Sequence, residues 1–125
     1  LRSVGISRQK TASLRDLATH FVDGTLSPSR FADRGDEEIV EMLTEVRGIG
    51  VWTAQMFLMS QLERPDVLPV IDVGLNRSIQ RLYALPERPT PDEIERIGEP
   101  WHPWATVACW YLWRSEDVAF PGGDI

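Results

Sequence analysis

The sequence predicts an all-α fold, and three observations predict it. Apolar residues recur at helical spacing in several segments. Helix start signals, a capping side chain or a proline at the first position, recur along the chain. The one run with strand character, Val67-Leu68-Pro69-Val70-Ile71, is interrupted by a proline that cannot donate to a sheet ladder, so it reads as an extended connector.

The elements follow in order. Ser7 caps a first helix whose Leu14, Leu17, Ala18 and Phe21 share one face, and Gly24 stops it. Ser27-Pro28 begins a short turn with proline at a favourable first helical position. Asp36 opens a helix with Ile39, Val40, Leu43 and Val46 on one side, ending at Gly48. A further helix starts near Val51 and carries Ala54, Phe57 and Leu58. Asp72 ends the connector and can cap a helix reaching about Leu82. After the proline-rich stretch from Pro86 to Pro91, Thr90-Pro91-Asp92-Glu93 combines a capping threonine, a proline and a glutamate at the third position. Gly98-Glu99-Pro100 ends that helix, and a last one runs from near Pro103 to about Glu116.

The 125 residues suit one domain, 1–125, with a flexible tail at 118–125. The chain opens on Leu1 inside a running pattern, so an N-terminal part is expected to precede it. Hydrophobic residues make up 42%, enough for a core, and no run is long enough to span a membrane. No secretory signal is visible. The net charge of −6 argues against nucleic-acid binding through a broad basic surface, but not against binding through backbone N–H groups and a few arginines. The basic residues are twelve arginines and a single lysine, Lys10, placed on a surface helix. The lone cysteine, Cys109, can form no internal disulfide and reads as a small buried apolar residue. His20 and His102 stand apart from any ligand pattern.

Three features bear on chemistry. Gly48-Ile49-Gly50 lies between two helical patterns and forms a tight hairpin whose backbone N–H groups, at a helix N-terminus, suit a phosphate. The same glycines would serve an ordinary turn. Thr53 adds a hydroxyl for a second phosphate oxygen, and Ala54 permits close packing. Asp72 is an acid in an apolar run; it can be a helix cap, a catalytic carboxylate, or both, with Val70, Ile71 and Val73 drying its surroundings. Of five tryptophans, Trp104 and Trp110 read as core, Trp110 and Trp113 share a helix face, and Trp52 is placed to stack on an extruded base.

Leu43-x-x-Val46-x-Gly48-Ile49-Gly50-Val51-Trp52-Thr53-Ala54, then Leu68-Pro69-x-x-Asp72, then Trp101-x-Pro103-Trp104 with Ala108-x-Trp110-Tyr111-Leu112-Trp113, resembles the helix-hairpin-helix DNA glycosylases, most closely the alkylation-repair branch of the DNA-3-methyladenine glycosylase II type. The opening Leu1-Arg2-x-x-Gly5-Ile6-Ser7-Arg8-Gln9-Lys10 resembles that branch too. The resemblance implies the helix-hairpin-helix glycosylase core and Asp72 as the catalytic aspartate. It implies Gly48, Gly50 and Thr53 as phosphate-binding positions, and a base pocket with Trp52, Trp113 and Met56. It also implies backbone carbonyls of Thr44, Val46 and Ile49 that hold a monovalent cation when DNA is bound, with no required cofactor. The expected partner is double-stranded DNA containing a damaged base, met by a monomer inside the cell, in the bacterial nucleoid or the nucleus, and not at a membrane.

In bifunctional members a lysine at the position of Trp52 attacks C1′, so tryptophan there implies a monofunctional hydrolase of alkylated purines, of the 3-methyladenine type, in base excision repair. The chain also lacks the four-cysteine cluster of the endonuclease III-like branch. The alternative is a non-catalytic helix-hairpin-helix module that only docks DNA. Two departures stand out. Ala105-Thr106 replaces the family's frequent Arg-Ser after Pro103-Trp104, and Met56 replaces an aromatic pocket residue. The family's N-terminal region, which supplies part of the pocket wall and a wedge, would lie before Leu1.

Overall fold

The computed structural model describes residues 2–117; the tail expected at 118–125 and the first residue of the Leu1-Arg2 motif lie outside the described residues. Seven α-helices occur among the described residues, and no strand. The chain divides into two compact units, Leu1–Phe57 and Leu58–Ile125, with the division inside the fourth helix.

The first unit holds α1 (Arg8–Val22), α2 (Pro28–Phe31), α3 (Asp36–Thr44) and most of α4 (Val51–Ser60). The Ser7 hydroxyl accepts from the Lys10 N–H, as the cap signal predicts. Gly24 takes φ +78° just past α1, the left-handed conformation that ends a helix. The core draws on Leu26, Phe31, Ile39, Leu43, Val46 and Ala54, and Phe31 meets Phe57 edge-on at 5.5 Å. Two expectations are corrected here. On α1 the buried residue is Thr11, while Leu14, Ala18 and Phe21 are exposed and Leu17 is half-buried, because the covered side of the helix runs through Thr11, Ala12, Asp16 and His20. The helix opened at Asp36 ends at Thr44, not Gly48. Beyond it the chain tightens into i→i−3 turns, Val46 N–H to Leu43 and Ile49 N–H to Val46, each 3.1 Å.

The second unit holds α5 (Val73–Leu82), α6 (Pro91–Gly98) and α7 (Ala105–Asp117). The stretch before α5 is an extended connector, with Pro69 buried. The Thr90 capping box is complete: its hydroxyl accepts from Glu93 N–H, and the Glu93 carboxylate accepts from Thr90 N–H at 2.7 Å. That pairing holds the Glu93 carboxyl below its ordinary pKa. Leu75, Ile79, Ile94, Ala105 and Cys109 form the core, with Cys109 fully buried as expected.

Burial of the tryptophans departs from expectation. Trp104 is 61% exposed and Trp110 51%, so neither is a core residue. The core-facing side of α7 is built from Ala105, Thr106, Cys109 and Leu112, small enough for α5 to approach, and this turns the bulky rings outward.

Candidate active site

The glycine turn lies in the first unit. Gly48 has φ +84°, a conformation costly for any residue with a Cβ. A Cβ at Gly48 would also meet the Ser13 hydroxyl of α1, which would have to turn aside, so the contact adds to the backbone requirement. Two N–H groups of this turn are not bare: Ile49 N–H donates to Val46 O at 3.1 Å, and Arg47 N–H donates to Asp16 Oδ2 at 2.7 Å, which ties the turn to α1. This corrects the reading of the whole hairpin as open donors, and no local pattern marked Asp16, which lies 31 residues away. Gly50 then stands immediately before α4, its carbonyl accepting from Ala54 N–H at 3.1 Å. Having no side chain, it leaves the first turn of α4 without a capping oxygen of its own.

Thr53 and Trp52 are exposed on that first turn, Met56 is half-buried and Ala54 is fully buried. Thr44 is the last residue of α3, so its carbonyl lies beyond the helical ladder. The Val46 carbonyl uses one lone pair on Ile49 N–H and keeps a second. With Ile49, these carbonyls are hard oxygen donors at the end of α3 and in the turn that follows it, the donor chemistry that would suit a group I cation. No cluster of three or more metal-ligating side chains occurs among the described residues.

Asp72 lies in the second unit and is built from the connector. Its N–H donates to Pro69 O at 2.9 Å. The buried Asn76 amide donates to Val70 O at 3.0 Å and to Asp72 O at 2.7 Å, which locks the backbone around the carboxylate. Upstream, the buried Thr106 hydroxyl donates to Arg64 O at 2.7 Å and accepts from Val67 N–H at 2.9 Å. The departure at Ala105-Thr106 thus retains a role: the threonine staples the connector to α7.

Asp72 is 8% exposed, and its Oδ1 accepts two N–H bonds, from Leu75 at 2.7 Å and from Trp113 Nε1 at 2.8 Å. The expectation of a cap is therefore met. The drying by Ile71 and Val73 is not: each is 53% exposed. Asp72 is buried instead from the side of Gly74, Trp113 and Cys109. Burial, with the Asp72 charge adding to it, pushes the Cys109 thiol up to about 12.

Trp113 is half-buried and meets Trp110 edge-on, ring centroids 5.2 Å apart. Thus Asp72 and Trp113, 41 residues apart, are brought together. Neither Asn76 nor Gly74 was singled out from sequence; the amide four residues after a capping acid was the available signal. The histidines are held locally: His20 Nδ1 lies 2.9 Å from Asp16 O, a bond that raises its pKa, and His102 Nδ1 lies 2.7 Å from Asp66 Oδ1.

Comparison with known proteins agrees with this picture. Residues 1–103 match the model of the HhH-GPD superfamily base excision DNA repair proteins. DNA-3-methyladenine glycosylase 1 of Schizosaccharomyces pombe is 35% identical over 120 residues, covering 95% of this chain and 53% of that protein. The solved structure of the Schizosaccharomyces pombe 3-methyladenine DNA glycosylase in complex with abasic DNA superposes with TM-score 0.85 at 34% identity, over 94% of this chain and 58% of that one. DNA-3-methyladenine glycosidase from Bacillus halodurans superposes with TM-score 0.82 at 38% identity, over 91% and 52%. The chain spans between 38% and 53% of the length of three curated relatives it matches. An all-α fold, a glycine turn ahead of α4 and an acid capping α5 accord with the matched model, and the chain belongs to the HhH-GPD superfamily of base excision DNA repair proteins.

Proposed function

We propose that this chain is the core of a monofunctional DNA N-glycosylase that hydrolyses the bond between sugar and alkylated purine, of the 3-methyladenine type, in base excision repair. The observation that carries the reading is Asp72, a buried carboxylate held by a backbone N–H and an indole N–H at the start of α5. The names of the relatives and the abasic DNA bound to one of them support the substrate class.

The partner is double-stranded DNA with a damaged base, met by a monomer in the nucleoid or nucleus. Gly48, Gly50 and Thr53 present N–H groups and a hydroxyl to a backbone phosphate, where the α4 dipole favours an anion. Thr44, Val46 and Ile49 offer carbonyls to a monovalent cation, which would supply positive charge beside that phosphate. A base stacked in duplex is out of reach, so the nucleotide is flipped out. Methylation at purine N3 or N7 leaves the base cationic, a good leaving group. Aromatic faces such as Trp52 and Trp113 attract it, worth roughly 0.5–2 kcal/mol. Met56 is the third residue proposed to meet the base, with a soft, adaptable side chain.

As the bond breaks, the sugar becomes oxocarbenium-like, and Asp72 stabilises that charge and orients the attacking water. The acid is fixed before the reaction, so no reorganisation is needed when charge develops. With tryptophan at position 52 and a single lysine, Lys10, exposed on α1, no amine is supplied for a Schiff base.

The test is base release from methylated DNA by the full-length chain. The parent should release 3-methyladenine, while Asp72→Asn should lose about 100- to 1000-fold in rate and still bind DNA. Borohydride should trap no covalent adduct. Near-normal release by Asp72→Asn, or a trapped adduct, would sink the reading.

A further inference from the structure

We infer that Trp113 acts on the reaction through Asp72, as a positioning residue whose indole N–H fixes the carboxylate, and that Gly74 is the vacancy that lets it do so. The inference rests on the glycosylase reading above and deepens it. That reading needs from Trp113 only an aromatic face for the base.

The geometry points to the edge of the ring instead. Trp113 Nε1 donates to Asp72 Oδ1 at 2.8 Å, the same oxygen that takes the Leu75 N–H. Two donors converging on one oxygen set both the rotamer of the carboxylate and the direction of its remaining lone pairs. The indole is itself held. Trp110 lies against it at an interplanar angle of 84°. A Cβ at position 74 would come within 3.2 Å of Asp72 Oδ1, 3.3 Å of Trp113 Cδ1 and 3.4 Å of Trp113 Nε1. Any side chain there presses on both members of the pair.

The register of the two helices extends the same design away from the acid. Gly74, Ser78 and Arg81 follow one face of α5. The fully buried Ser78 hydroxyl, with one proton to give, lies within hydrogen-bond reach of Leu112 O at 2.9 Å, Gly74 O at 3.0 Å and Glu116 Oε1 at 3.2 Å. Arg81 donates to Ser115 O at 2.8 Å and pairs with Glu116 at 3.3 Å. These bonds set the register of α7 against α5, and with it the reach of Trp113.

The deciding experiment removes the N–H and keeps the ring. In the full-length chain, Trp113 is replaced by Phe and, separately, by 3-benzothienylalanine, which matches indole in shape but carries sulfur in place of N–H. Single-turnover release is measured on DNA with 7-methylguanine, a cationic base, and with hypoxanthine, a neutral one. Affinity for DNA carrying a tetrahydrofuran abasic analogue is measured alongside.

Both variants should lose about 10- to 100-fold in rate, to the same extent on both bases, with analogue affinity within about twofold of the parent. The equal loss separates positioning from cation–π recognition, which would penalise the cationic base alone. A benzothienyl variant that keeps the parent's rate overturns the inference, as does a loss confined to 7-methylguanine. A parent that releases no base at all overturns the glycosylase reading, and the inference with it.

Discussion

The N-termini of α4 and α5 are alike in sequence setting and opposite in electrostatic design. Each follows a non-helical segment and opens a ten-residue helix. α5 brings its own anion: Asp72 accepts the Leu75 N–H and complements the helix dipole internally. α4 is preceded by Gly50, which has no side chain to offer. The α5 end is closed by a side chain of the chain itself, whereas the residue before α4 brings no side-chain cap. The difference teaches that two helices of equal length can begin with or without a side-chain cap, and that a capping acid can also be buried and held by a second, distant donor.

The contrast breaks most visibly at Asp72. Asparagine caps as well as aspartate does, so Asp72→Asn should leave the melting temperature close to the parent's while abolishing base release. A variant that unfolds would show the acid to be structural first. Next in size is Gly48→Ala. The positive φ and the contact with Ser13 together should cost about 1–3 kcal/mol of stability, seen as a lowered denaturation midpoint, with weaker binding to DNA. Unchanged stability and binding would mean that the turn is tolerant and its glycine incidental.

Gly74→Ala sharpens the other side. Gly74 is the second residue of α5, where alanine gains less over glycine than in a helix interior and its Cβ meets tight contacts, so stability should stay close to the parent's. The rate should still fall several-fold as the new methyl presses on Asp72 and Trp113. A faster or unaffected enzyme would show that the pair adjusts freely. Cys109 gives the smallest effect. Its thiol, raised from 9.0 to about 12 chiefly by burial, stays protonated at neutral pH. The raised value means that its contribution to stability is complete below about pH 9 and is lost as pH climbs toward 12. The native chain at pH 8 should therefore resist thiol reagents and react once unfolded; prompt labelling of the native state would contradict the burial.

Local signals were the most readable. The caps at Ser7, Asp72 and Thr90, the stop at Gly24 and the connector broken by Pro69 are short-range effects of side-chain oxygens, missing Cβ atoms and missing N–H groups, and all stand as read. Periodicity read less well. The spacing of Leu14 and Phe21 describes a face without saying what it meets, and Trp104 and Trp110 were assigned to a core that α7 fills with smaller residues. For the site, Asp72 and the glycines stood out because an acid in an apolar run and two glycines between helices are conspicuous in one dimension. Asp16 on Arg47 N–H and Trp113 on Asp72 were invisible, since each pairs residues 31 or 41 positions apart.

By itself the sequence determined where the capped helices start, that α1 stops at Gly24, that Gly48 needed conformational freedom, and that Asp72 would cap α5. These depend on interactions within a few residues, which chain order specifies directly. Only the tertiary structure decided that Asp72 is held by an indole, that Gly74 makes room for that indole, and that Asp16 closes one donor of the glycine turn. Such contacts depend on which faces of distant helices meet and at what register. That is set by the packing of whole side chains, with Ser78 and Arg81 locking α5 to α7, and by no pattern along the chain.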